Sequence, residues 1–302
     1  MIHTENLTKT FGDHLAVDRL TLEIGEGEVF GFLGPNGAGK TTTIRMLTSL
    51  IVPSSGTARV LGYEVGRDDQ DIRRNVGILT ETPGMYDRLS ARRNLAIFAK
   101  LYEVEAVDRQ VEKYLRLLGL WERRDDPVGE FSKGMRQKLA IARSLLHEPR
   151  VLFLDEPTAA LDPEASRVVH DFIAELKGQG RTIFLCTHNL DEADRLCDRV
   201  AVFKTHLRVV DTPGKLRRQV YGRQIVFHLG GPAESYLALA QAQPFVNHAE
   251  AADGKLILAL DDPESHNPDL VRTLVAAGAD IQFVGELRYS LEDVYLQLMK
   301  DQ

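Results

Sequence analysis

The chain has 302 residues and a formal net charge of −7, from 37 basic and 44 acidic side chains. That length suffices for one large α/β domain and a small one, each with a core. From Gly222 onward five basic face twelve acidic residues, which leaves 32 of each before it; without a basic excess on either part, the charge argues against nucleic acid as the main partner.

The opening segments "IHTENLTKTF", "LTLEIGEGEVFGF" and "GTARVLGYEV" are short, alternating and turn-separated, which predicts a small antiparallel sheet. Apolar strand-like runs ("EVFGFLG", "VLFLDEP", "TIFLCTH", "RVAVFK") then alternate with helical stretches ("KTTTIRMLTSL", "QKLAIARSLLH", "EASRVVHDFIAELK"), the pattern of a mostly parallel sheet covered by helices. Between Pro83 and Glu130 the strand signal vanishes, and "RRNLAIFAKLY" and "VDRQVEKYLRLLGL" carry apolar residues at helical spacing. A helical insertion over about residues 84–146 is expected there. After "DTPGKLRRQVYGR" the order becomes β-α-β-β-α-β with a closing helix, as in ferredoxin-like small domains, and Ser290 with Asp293 is placed to cap that helix. The reading therefore divides the chain into residues 1–216 and an α+β accessory domain over 217–302. Cys186 and Cys197 read as reduced thiols. No run approaches about 18 uncharged apolar residues, and the N-terminus lacks a basic segment followed by an apolar one, so neither a membrane span nor a secretion signal is expected and the chain is expected in the cytoplasm.

"GPNGAGKT", Gly34 to Thr41, fits G-x-x-x-x-G-K-[ST], follows a strand and opens a helix. Its glycines let consecutive backbone N–H groups turn toward phosphate oxygens; Lys40 neutralises the terminal phosphates and Thr41 offers a hydroxyl to Mg²⁺. The strand "VLFLDE" delivers Asp155 and Glu156 at its C-terminal edge, where α/β sheets hold ligands. Asp155 is expected to hold Mg²⁺ through its water shell, and Glu156 to orient and deprotonate the attacking water.

Residues 1 to about 216 resemble the nucleotide-binding subunit of an ATP-binding cassette (ABC) transporter. Phe11 in "LTKTFGD" resembles the aromatic residue that stacks on adenine. Gly34, Pro35, Asn36, Gly37, Ala38, Gly39, Lys40, Thr41 and Thr42 resemble the phosphate loop, and Ser132, Lys133, Gly134 and Met135 the signature turn. Asp162 in "ALD" resembles the loop that crosses between subunits, and His188 in "CTHNLDEAD" the switch histidine that reaches the γ-phosphate. The resemblance implies a P-loop cassette that uses ATP and Mg²⁺ and packs head to tail with a second cassette, the signature of one covering the ATP of the other. An intact loop and an intact signature in one chain allow a homodimer. In that reading Ser132 is the N-cap, Gly134 permits close approach, and the helix behind them aims its positive end at the partner's γ-phosphate.

Three departures stand out. The signature reads "FSKGM" where "LSGGQ" is commonest. Glu81 in "GILTETPGMY" stands where many relatives carry a metal-sensing glutamine, and a carboxylate there can also hold Mg²⁺. Arg93 replaces the glutamate that usually completes the cap begun by Ser90. The closing "SLEDVYLQLM" is similar to cassette subunits of drug, lipid or polysaccharide exporters whose membrane-spanning permease is a separate chain, which would hold this one at the cytoplasmic face of the membrane. The alternatives are a soluble ABC ATPase that grips a macromolecule, as translation and DNA-repair factors do, and an importer subunit.

Overall fold

A computed structural model describes residues 1–80, 84–159 and 161–300. The chain divides into two compact units, Met1–Thr212 and Pro213–Gln302.

In the first unit, β1 (Ile2–Phe11) and β2 (His14–Ile24) form an antiparallel hairpin in which Phe11 faces His14 across the turn. β3 (Val29–Leu33), buried along its whole length, leads into α1 (Lys40–Leu47). β4 (Ser55–Val60) and β5 (Tyr63–Glu64) extend the hairpin into an antiparallel sheet of order β2-β1-β4-β5. A short helix, α2 (Asp69–Asn75), precedes β6 (Val76–Leu79) and buries Ile72.

The expected helical stretch contains α3 (Ala91–Leu101), α4 (Val107–Leu117) and α5 (Lys133–Leu145). Ser90 caps α3 alone: its side chain accepts from Arg93 N at 3.3 Å, so the missing glutamate removes only the reciprocal half of the cap. The chain continues through β7 (Val151–Asp155), α6 (Pro163–Gly178), β8 (Thr182–Thr187), α7 (Leu190–Leu196), β9 (Arg199–Lys204) and β10 (His206–Asp211).

These strands form a six-stranded sheet of order β10-β9-β3-β8-β7-β6, parallel except where β10 returns along β9. Its central strands are buried on both faces, which explains their unbroken apolar runs. Phe184 packs with Phe30, Phe32 and Phe153 at centroid distances of 5.9, 5.2 and 5.6 Å, and Phe32 with Phe203 at 4.6 Å. Truncating one such ring costs a core about 3–5 kcal/mol. This packing fixes the C-terminal ends of β3, β7 and β8 side by side.

The second unit begins with α8 (Pro213–Tyr221), so the division lies ahead of position 216 and the whole helix goes with the C-terminal part. There follow β11 (Gln224–Leu229), α9 (Glu234–Gln241), β12 (Val246–Ala252), β13 (Lys255–Leu260), α10 (Pro263–Ala276), β14 (Ile281–Glu286) and α11 (Leu291–Lys300). The sheet order is β12-β13-β11-β14 with every neighbouring pair antiparallel, the split β-α-β arrangement. Phe227, Leu256, Leu258, Leu270 and Leu274 form its own core. Ser290 and Asp293 cap α11 reciprocally, with Ser290 N donating to Asp293 Oδ2 at 2.9 Å and Asp293 N to Ser290 Oγ at 3.1 Å.

Candidate active site

The loop from Gly34 to Gly39 leaves the buried end of β3 and enters α1 without a side-chain cap, and the first turn of α1 carries no acid. The free N–H groups and the positive end of the helix dipole therefore face outward, ready for an anion. Gly39 is obligatory: its φ is +103°, and a Cβ there would lie 2.3 Å from Ala16 O. Lys40 is only 6% exposed, and its ammonium donates to Gly34 O at 2.6 Å and Pro35 O at 3.3 Å.

β7 brings two acids to this loop. Thr41 Oγ1 donates to Asp155 Oδ2 at 2.7 Å, joining the start of α1 to the end of β7. Glu156 follows at φ +52°, a left-handed conformation that costs a non-glycine residue about 1–3 kcal/mol. Its backbone N donates to Cys186 O of β8 at 2.9 Å, which holds that turn. Its carboxylate, 9% exposed as a residue, lies between two bases: Oε1 is 3.6 Å from Lys40 Nζ, and Oε2 is 2.7 Å from His188 Nδ1. Oε1 is buried and accepts no hydrogen bond from the described residues. His188, just past the end of β8, is well exposed and reaches over from the cleft wall.

A cleft of about 450 Å³ opens above this group. It is lined by Phe11, His14 and Ala16 of the hairpin, by residues 35–42, and by Asp155, Glu156, Ala159 and His188. Phe11 is 49% exposed, and Lys9 Nζ stands 5.0 Å from its ring centroid. A flat ring face, backbone N–H groups, an ammonium and carboxylates in one cleft suit a nucleoside polyphosphate. A hydroxyl beside a carboxylate, Thr41 with Asp155, is the hard-oxygen donor set that suits Mg²⁺.

The other motif residues stand apart from this cleft. Ser132 caps α5, its Oγ accepting from Met135 N at 3.2 Å, with Lys133 and Gly134 in the same first turn. A Cβ on Gly134 would come 3.3 Å from Ala165 Cβ in α6. Asp162 caps α6, its Oδ1 accepting from Ala165 N at 2.7 Å. Glu81 lies outside the described residues.

His14 and Ala16 were missed by the motif reading. Their signal was the strand alternation after "FGD": Phe11 and His14 are cross-strand partners, so both flank the same opening.

Residues 17–159 match the ABC transporter family. The chain is 34% identical to the Nod factor export ATP-binding protein I of Rhizobium sp. (strain N33), over 98% of this chain and 96% of that one. It is also 34% identical to the bacitracin transport ATP-binding protein of Bacillus licheniformis, over 99% of this chain and 97% of the relative. Among solved structures, an ATP-binding subunit of an ABC transporter superposes with a TM-score of 0.67 at 30% identity, over 72% of this chain and 92% of that one. With relatives aligned from end to end and a cleft assembled from the family's own motifs, the chain belongs to the ABC transporter family as an ATP-binding subunit.

Proposed function

We propose that this chain is the ATP-hydrolysing subunit of an exporter, that it closes head to tail with a second copy around two Mg·ATP, and that a separate permease spans the membrane. The observation that carries the reading is Glu156, held between Lys40 and His188 at the phosphate end of the cleft. Export rather than import is supported by the name of the Nod factor export relative, which aligns with the tail domain included. No helix among the described residues is long and apolar enough to cross a membrane, which fits a permease on another chain and a peripheral position at the cytoplasmic face.

The nucleotide is held by backbone N–H groups within residues 36–42 and by Lys40, with Phe11 stacking on the base. Thr41 and Asp155, with Glu81 as a further candidate ligand, would hold Mg²⁺, which neutralises phosphate charge when bound. Glu156 accepts the proton of the attacking water, a task its buried Oε1 suits. His188 fixes the opposite oxygen and stands close enough to the γ-phosphate end to stabilise charge there. Ser132, Lys133, Gly134 and Met135 crown the N-terminus of α5, a positive end suited to the partner's γ-phosphate, while Asp162 lies on the edge that meets the partner.

Glu156→Gln keeps the shape of the side chain and removes the base. ATP turnover should fall by about 10²–10⁴-fold, while ATP still binds and light scattering shows a dimer of this chain at saturating Mg·ATP. Turnover at the wild-type rate would remove Glu156 as the base. A variant that stays monomeric with ATP bound would remove the clamp.

A further inference from the structure

The segment Glu156–Pro157–Thr158 leaves β7 through the left-handed turn at Glu156 and is gripped from two sides by buried side chains. Gln137 Nε2 of α5 donates to Pro157 O at 2.7 Å. On the other side Thr158 Oγ1 donates to Glu192 Oε1 of α7 at 2.9 Å. Glu192 is 1% exposed, and the same Oε1 lies 3.0 Å from His170 Nε2 of α6. Its second oxygen, Oε2, is buried with no hydrogen-bond partner among the described residues. None of Thr158, His170 and Glu192 lines the cleft.

Glu192 stands one helical turn after His188, and Asn189 locks that turn by accepting from Glu192 N at 3.1 Å. Two chain segments therefore run side by side, 156–158 and 188–192, joined by two rungs. One rung is Glu156 with His188, at 2.7 Å, and it faces the cleft through a histidine whose side chain is 60% exposed. The other is Thr158 with Glu192, part-buried and anchored on the fully buried Glu192. Were His188 to turn toward phosphate, its side-chain contact with Glu156 would be lost, and the Thr158–Glu192 bond, with Glu156 N to Cys186 O and His188 N to Glu156 Oε2, would still tie the two segments together.

A carboxylate buried with one oxygen unsatisfied is an expensive way to fill space, and an apolar side chain would serve packing better. Its presence next to a strained catalytic turn calls for a reason other than stability. We infer that Thr158 and Glu192 are positioning residues for hydrolysis: their hydrogen bond, backed by His170, holds Glu156 and His188 in register through the catalytic cycle. The inference rests on the assignment of Glu156 as the base.

The test uses the full chain and steady-state ATP turnover. Thr158→Val is nearly isosteric and leaves Glu192 Oε1 its contact with His170, so no new unpaired group is created. We expect kcat to fall about tenfold, since small displacements of a catalytic group cost one to two orders of magnitude, with KM and the melting temperature of the nucleotide-free protein unchanged. Thr158→Ser, which restores the hydroxyl, should recover most of the rate. Thr158→Ala gives the same reading should the valine methyl not fit. Wild-type kcat in both Thr158→Val and Thr158→Ala overturns the inference, as does a loss that tracks a fallen melting temperature or is not restored by serine. Glu156→Gln assayed beside them separates the levels. If it is inactive while Thr158→Val is fully active, only the positioning role falls; if it is active, the assignment of the base falls and takes this inference with it.

Discussion

Lys40 meets its own loop before it meets any ligand. Its ammonium is buried against Gly34 O, Pro35 O and Glu156, so the cation is prepaid in position rather than recruited from solvent. That position depends on the backbone beneath it, and Gly39 is where the backbone is least forgiving. Gly39→Ala places a methyl against Ala16 O and asks alanine for a φ of +103°. The loop must open to relieve this, and isothermal titration with Mg·ATP should show affinity reduced at least about tenfold, the equivalent of roughly 1.4 kcal/mol of a 1–3 kcal/mol strain. Unchanged affinity would mean that the loop tolerates another course.

Elements differ in how much of them local sequence can announce. β3, β7 and β8 were legible because a strand covered on both faces must be apolar throughout, and the residues at its end were legible because the phosphate loop names its own context. α2 was not: "DQDIRRN" buries one residue, Ile72, and its helix is decided by what it packs on rather than by a periodic stripe. The meeting of Thr158 and His170 on Glu192 was illegible for another reason: the outer two residues are 34 positions apart, with α6 and β8 between them, and no motif-length window spans them. Another such junction is Glu148, between α5 and β7. It accepts from Gln110 Nε2 at 3.0 Å and Lys113 Nζ at 2.5 Å of α4, and from Arg181 before β8. Burial alone would raise its pKa; the hydrogen bonds from Lys113, Gln110, Tyr114 and Arg181 outweigh burial and hold it at about 2. A carboxylate lowered in this way stabilises the fold fully above its unfolded pKa of about 4.3, and the contribution is lost as pH falls toward 2. Glu148→Gln should therefore lower the urea midpoint at neutral pH, and the gap to wild type should narrow between about pH 5 and about pH 3. A gap independent of pH would show that the junction holds by shape rather than by charge.

Across the whole molecule, the layers of the first unit divide the cleft between them. The parallel sheet and α1 supply the cleft's charged side chains, Lys40, Asp155 and Glu156, and the backbone of the glycine-rich loop. The antiparallel hairpin supplies a phenyl ring, an imidazole and a methyl group, Phe11, His14 and Ala16, and among the described residues no hairpin side chain with an amide or carboxylate lines the cleft. A ring face attracts every purine alike, whereas discrimination between bases needs buried groups that are left unpaired by the wrong one. The chain should therefore hydrolyse GTP with a kcat/KM within about tenfold of that for ATP, and a preference of several orders of magnitude would reveal a reader of the base edge. If that expectation holds, a motor built this way would not choose its fuel. It would burn whichever purine triphosphate the cell keeps most abundant, and the identity of its energy source would be a property of the metabolite pool.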